Sequence, residues 1–466
     1  MTAPAARARP PRRAIDALSL TIDESTLVAA GAGEPEWLVV DRRAAFDAWA
    51  SLPAESNVLY TPYIDLRGAR LEGATVVAGS RTPPGTGSGV QVLPDDIAAV
   101  VELTDGVVTA TVLSAQARSA GITLTDLRSL LGSDPERVRM LLKAGPQLPA
   151  EDRFAQQTRA LWSQGVVLDV PAGVQLDRPI VIRWVTGAPG SAVLTRTIVH
   201  LGEGARVAIV EELVGMAPAF RAEEAAAGQS FFAGTMEVSL GRDADLMVAS
   251  LQELPDHLIA MQHRVAEIGA DAALHWALAQ LGGRLVRGRV DNRLAGDRSA
   301  VEQVEIVFGN GEQLFDLTSY TTHVGRDTTG NLLSKGALLD GAKTYLKGLI
   351  TIEKTAIGTD SFLGEFGMNL SKAARSVAIP SLEIDQPDCR RAQHASSVGP
   401  IDEAQLFYLE SRGIPPDDAR KFIVLGFLEP VVARVPLASA QDRLRELLEA
   451  KWAAGVATVG EVGAAA

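Results

Sequence analysis

The hydrophobic pattern changes its period about a third of the way along the chain. Before that point apolar residues recur at helical spacing. Asp41 to Ala50 reads as a short helix carrying Phe46 and Trp49, and Asp95 to Leu103 as another. Ser133-Asp134-Pro135-Glu136 offers a cap residue and then Pro in the first turn, where its missing N–H costs nothing. Val138, Leu141 and Leu142 follow on one face. Asp152 to Ser163 repeats the pattern with Phe154, Leu161 and Trp162, and Gly165 stands where a left-handed residue would end that helix.

Beyond Gly165 the runs become short and β-branched: Val166–Val170, Ile180–Trp184, Val193–Val199 and Val207–Val210. Turn residues such as Pro171-Ala172-Gly173 and Gly202-Glu203-Gly204 separate them. The pattern resumes at Gln303–Gly309, Leu314–His323, Leu332–Leu339, Thr344–Ile352 and Ser376–Ile384. So many short strands with Gly turns exceed a small barrel and predict a stacked β-solenoid or a double sandwich. Aromatics make up 5% of the chain, and a parallel β-helix with an aliphatic interior suits that shortage best.

After Ile384 a polar stretch, Asp385 to Ser397, precedes a return to helical spacing. Asp402 is placed to cap a helix, with Ile401 stapling onto Leu406. Pro415-Pro416 opens a second helix, which Pro430 should stop. Leu437, Leu444, Leu447 and Leu448 mark a third. The expected divisions are a tail over 1–15, a mixed helical region over 16–164, a β core over 165–384, a helical region over 385–452 and a tail over 453–466.

The 466 residues carry a formal net charge of −13, which disfavours nucleic acid as a partner. No apolar run is long enough to span a membrane. The first fourteen residues hold four arginines and no apolar core, so they do not read as a secretory signal; a cytoplasmic protein is expected. No Gly-Lys dipeptide exists, so there is no P-loop and no ATP site of that kind. A β-helix invites comparison with polysaccharide lyases and hydrolases, for which Glu211, Glu212, Asp243 and Asp245 are the candidate acids. The single cysteine, Cys389, excludes an intrachain disulfide. It lies five residues before His394 in the polar stretch. Thiolate and imidazole are ligands for iron, but two residues leave a four-ligand site incomplete without a partner chain or small thiols.

Several stretches resemble the SufB/SufD family of iron–sulfur cluster assembly proteins. They are Gln313-Leu314-Phe315-Asp316-Leu317 with His323, Leu333-Ser334-Lys335-Gly336, Tyr345–Ile350 and Ile379-Pro380-Ser381-Leu382-Glu383-Ile384. The most specific is His394-Ala395-Ser396-Ser397-Val398-Gly399 followed by Ile401–Leu409, Ser411-Arg412-Gly413 and Gly426–Pro430. Ala160-Leu161-Trp162 and Val170–Val174 look like the family's entry into its β region.

The resemblance implies a mainly β protein. Its core would be a right-handed parallel β-helix, flanked by an N-terminal mixed α/β region and a C-terminal helical region. It implies a non-catalytic scaffold subunit that pairs with a SufB-like paralogue, docks a SufC-like ABC ATPase and serves downstream apo iron–sulfur proteins. The cargo would be a transient iron–sulfur cluster at the subunit interface. His394 matches the histidine of SufD-type chains. The absence of any Cys before Cys389 removes the cysteines of SufB-type chains, so the SufD-type reading leads and the SufB-type reading is the alternative. Candidate cluster ligands are His394 and Cys389, although Cys389 is displaced by three residues from the family position, which is Ala392 here. Candidate ATPase contacts are Phe407, Tyr408, Arg412, Phe422 and Phe427.

Overall fold

The computed structural model describes residues 18–54, 65–77, 92–215 and 228–463. The tail expected over 1–15 lies outside them. The strands after residue 164 build a parallel solenoid of about eight turns, each turn giving one strand to each of two ten-stranded sheets. From Gln164–Val170 to Arg391–Gly399 the named strands of each sheet pair in parallel. One row reads Ala273, Ala300, Thr329, Asp360 and Arg391 on successive turns. This settles the choice between solenoid and sandwich. Leu246, Val248, Leu274, Trp276, Leu294 and Phe315 are among the side chains that fill the interior.

At the first end, Ala99–Thr104 pairs in parallel with Ile180–Thr186, and Val107–Leu113 and Thr123–Asp126 add antiparallel strands. The helix expected over Asp95 to Leu103 is therefore largely strand. Val100 and Val101 favour the extended chain, and the apolar run is buried on both faces. Gly165 also differs from expectation. It lies inside strand Gln164–Val170, where a Cβ would come 2.1 Å from the Arg196 carbonyl oxygen, so close backbone approach is what requires glycine there. The helix before it, Arg153–Leu161, does start as the pattern predicts: the Asp152 carboxylate accepts from the N–H groups of Phe154 and Ala155.

One turn of the solenoid repeats a left-handed residue at Asp243, Asp271, Arg298 and Asp327. Each backbone N–H donates to the carbonyl of the next rung, at 2.8–3.0 Å, which satisfies groups that a bare turn would leave unpaired.

Three helices follow the last strand: Glu403–Ser411, Pro416–Val432 and Ala438–Gly463. Asp402 caps the first through the Ala404 N–H at 2.8 Å. Val424, Leu428, Val431, Leu444 and Leu448 pack on the outer face of the second sheet against Val210, Ala249, Ile306 and Ala337. Pro430 does not stop its helix, which continues to Val432. Proline costs one ladder bond and crowds the carbonyl four residues back, and the helix ends within a turn of it. The third helix runs into the stretch 453–466 expected as a tail. No helix among the described residues is long and apolar enough to cross a membrane.

Candidate functional site: the open end of the solenoid

The last strand of the first sheet is Arg375–Ile384 and that of the second is Arg391–Gly399. Among the described residues, nothing pairs with their outer edges. The polar stretch from Asp385 to Ser397, expected within the helical region over 385–452, is thus partly the final rung. Its sequence looks like a loop because most of its positions are exposed, so no apolar alternation is required. Pro380 lies on one of these edge strands and Pro400 directly follows the other. Proline withholds a donor at an edge.

Beneath this rung, Leu332, Ile350, Ile352, Ala356 and Leu363 form an apolar plug, with Leu382, Cys389 and Ala392 resting on it. Cys389 is half-buried in the turn before the last strand. His394 is exposed, in register with buried Leu363, and shares the strand face of Ala392 because side chains alternate. The two candidate ligands therefore belong to the same rung, one against the plug and one open to solvent. Arg390 and Arg391 are engaged elsewhere, by Asp327 and by Asp360 respectively. Among the described residues no three His, Cys, Asp or Glu side chains are gathered to hold a metal ion.

The residues proposed to meet a partner separate into two groups. Phe407, Tyr408 and Phe422 are 70%, 57% and 60% exposed, and no residue of helix Glu403–Ser411 is buried. The Arg412 guanidinium lies over the Tyr408 ring at 5.2 Å. Phe427 instead packs inward. Lys335 Nζ sits 4.6 Å from its ring centroid and donates to its carbonyl oxygen, fastening the helix to the solenoid.

The acids considered for carbohydrate chemistry are not gathered into a pair. Glu211 points inward and accepts from Arg264 at 2.5 Å. Glu212 points outward to Arg183 at 2.6 Å. Sequence reasoning passes over two inward acids, Glu305 and Glu365. Their isolation is visible only once the strand register is known.

The fold and its open rung define a class: a parallel β-solenoid scaffold with a helical attachment on one sheet and an unpaired end. The SUF system FeS cluster assembly, SufBD core domain family matches residues 184–427, and the chain belongs to that family. Within it the chain is most like SufD. It is 27% identical to the iron–sulfur cluster assembly protein SufD of Bacillus subtilis over 341 residues, 73% of this chain and 76% of that protein. An iron–sulfur cluster assembly SufBD family protein of Mycobacterium tuberculosis is 29% identical over 309 residues, 64% of this chain and 74% of its own. One from Staphylococcus epidermidis is 26% identical over 325 residues, 70% and 68%.

Proposed function

We propose that this chain is the SufD-type subunit of a cytoplasmic iron–sulfur scaffold. It pairs with a SufB-like chain at its open end and carries a SufC-like ATPase on its C-terminal helices. The unpaired final rung carries the reading: two edge strands, one mostly half-buried and the other mostly exposed, form a surface that another sheet edge can extend. His394 and Cys389 would then lie at the seam between subunits. They supply part of the ligand set for a transient cluster, and the partner supplies the rest. A neutral imidazole suits a cluster that must later be released to apo proteins, because it binds iron less firmly than thiolate. ATP hydrolysis belongs to the partner ATPase, and this chain catalyses no reaction of its own. The working parts are the β core, within residues 165–399, and the helices from Asp402 to Trp452. Phe407, Tyr408, Arg412 and Phe422 form the exposed contact surface, with Phe427 behind it.

Co-expression with a SufB-like and a SufC-like chain tests this directly. The expected result is a stable complex containing iron and sulfide. Removing residues 402–466 should release the ATPase and leave the SufB-like chain bound. Retention of the ATPase by a folded truncated chain would overturn the docking assignment.

A further inference from the structure

At the turns that enter the second sheet, this acidic chain pairs its charges between rungs. Arg242 and Arg298 reach Asp271 at 2.8 and 2.6 Å, Arg391 reaches Asp360 at 2.6 Å, and Arg390 reaches Asp327. The strand starts of the first sheet depart from this. Arg70, Arg284, Lys343 and Arg375 line one groove of about 850 Å³ there, and none of them makes an ion pair among the described residues. Arg70, Lys343 and Arg375 are exposed and Arg284 is half-buried. Four unpaired cations in one concavity are an exception in a chain with 57 acids and 44 bases.

The groove runs along the solenoid axis. Leu285, Leu314, Lys343 and Arg375 are register partners that begin four successive strands, and Arg284 directly precedes the first of them. At the far end Gln229, just before strand Ser230–Leu240, holds the loop that carries Arg70. Its side chain accepts from the Arg70 N–H at 2.5 Å and donates to the Gly68 carbonyl at 3.0 Å. Strands Ser230–Leu240 and Arg375–Ile384 are five steps apart in the sheet, about 24 Å at the usual strand spacing. Counted in those steps, the four cations stand at intervals of about 10, 10 and 5 Å. Leu285, Leu314 and Tyr345 form the floor between them. Asp65 and Glu312 also line the groove, which leaves an excess of positive charge.

We propose that this groove docks an extended acidic segment of a partner protein, its carboxylates seated on Arg70, Arg284, Lys343 and Arg375 and its apolar side chains between them. The spacing selects the occupant. An extended chain rises about 3.3 Å per residue, so the groove takes about seven residues, and side chains on one face recur every ~6.6 Å, within reach of cations this far apart. Arginine offers each carboxylate a two-pronged, charge-assisted contact. A single small anion needs converging donors. It would reach Lys343 and Arg375, on adjacent rungs, and leave Arg284 and Arg70 unused. A long polyanion such as nucleic acid is repelled by the chain's charge of −13, whereas a short segment brings few charges. Arg375 stands on the final rung, so a partner held in the groove is brought to the open end through side chains and leaves the unpaired edges clear.

Fluorescence anisotropy on the full chain tests this, with a labelled peptide of about seven residues that alternates glutamate and leucine. The expected result is binding that weakens as salt rises, because exposed charges are screened beyond about 8–10 Å at ordinary ionic strength. The same peptide with glutamine for glutamate should bind roughly tenfold more weakly, and so should the acidic peptide to a Lys343→Glu/Arg375→Glu chain. Both side chains are exposed, so thermal unfolding of that chain should match wild type. Lys343→Gln/Arg375→Gln, which removes charge without reversing it, should bind with intermediate affinity. No binding of the acidic peptide at low salt, equal binding of the two peptides, or unchanged binding to the charge-reversed chain would overturn the proposal. So would pyrophosphate binding the groove as tightly as the acidic peptide, since that marks a small-anion site.

Discussion

Beneath the N-terminal helices, Asp152, Arg287 and Arg289 are buried with half-buried Asp291 beside them, and both carboxylates meet guanidinium groups; inside the outer half of the solenoid, Glu305 and Glu365 are buried and meet none. In the first region Arg287 and Arg289 reach Asp152 at 2.6 and 2.9 Å, and Arg289 and His263 reach Asp291 at 2.8 and 2.6 Å. Burial alone would raise the Asp152 carboxyl. Arg287, Arg289 and His263 outweigh it and hold that carboxyl far below the usual carboxylate range. In the second region Arg264 and Lys347 do not outweigh burial, which pushes Glu305 up to about 7 and Glu365 up to about 8. The same physical cost is thus met by pairing where helices are fastened to the sheet, and by protonation where the interior leads to the open rung.

The contrast predicts opposite signs for neutralising the two kinds of acid. Asp152→Ala should destabilise the chain most, by about 3–5 kcal/mol in denaturant unfolding, because it strands the buried Arg287 guanidinium, takes one partner from Arg289 and removes a helix cap. The native Asp152 value lies below the unfolded one. Its contribution is therefore present above the ordinary carboxylate range and is lost as pH falls through and below it. Glu365→Gln should do the reverse. Its native value of about 8 lies above the ordinary glutamate value of 4.5, so wild-type stability falls as pH rises from that range to about 8 and then levels off. The variant should lack that slope and gain up to about 3 kcal/mol at pH 7, as each tenfold change in proton affinity between the folded and unfolded chain is worth ~1.4 kcal/mol. A variant less stable than wild type at every pH would erase the contrast.

Smaller effects sharpen the comparison at the helices and the end rung. Phe407→Ala and Phe422→Ala should each weaken ATPase binding by about 2 kcal/mol, roughly 30-fold, while moving the folding free energy by less than about 0.5 kcal/mol. Phe427→Ala should show the opposite balance, since its ring holds the helix on the solenoid. Calorimetric binding beside thermal unfolding separates the two. His394→Ala should leave stability and complex formation essentially unchanged, because the side chain is exposed, and should reduce the iron and sulfide retained per complex. Cys389→Ser should reduce it less. Unchanged iron content in the His394 variant would return that rung to a purely structural role.

The solenoid is legible in the sequence because β-branched runs and Gly turns recur at near-constant spacing, and low aromatic content points to an aliphatic interior. The last rung is not, because an exposed strand has no reason to alternate: Gln393, Ser396 and Ser397 read as loop until register places them beside Phe362, Glu365 and Phe366. Ala99–Thr104 misleads for the converse reason, since a strand buried on both faces shows a continuous apolar run. His394 and Cys389 stand out by chemistry alone. Glu305 and Glu365 do not, because their meaning depends on which residues face them across the interior. Only the fold places Gly348 against the Glu365 carboxyl, where a Cβ would come 2.9 Å from Oε1.

The unpaired final rung can be viewed as the growing face of a crystal. Such a face adds the next layer readily, and an unrestrained one adds layers without end. Here the layer beneath is finished, with a closed apolar plug, while the exposed layer carries solvated side chains and is marked by two prolines. Pro380 offers no donor at its position, and Pro400 offers none just past the second edge. Growth is therefore limited to a lattice with a matching gap in its hydrogen bonds. On the proposed pairing, such a face takes one complementary terrace and stops there, instead of running on into a fibre.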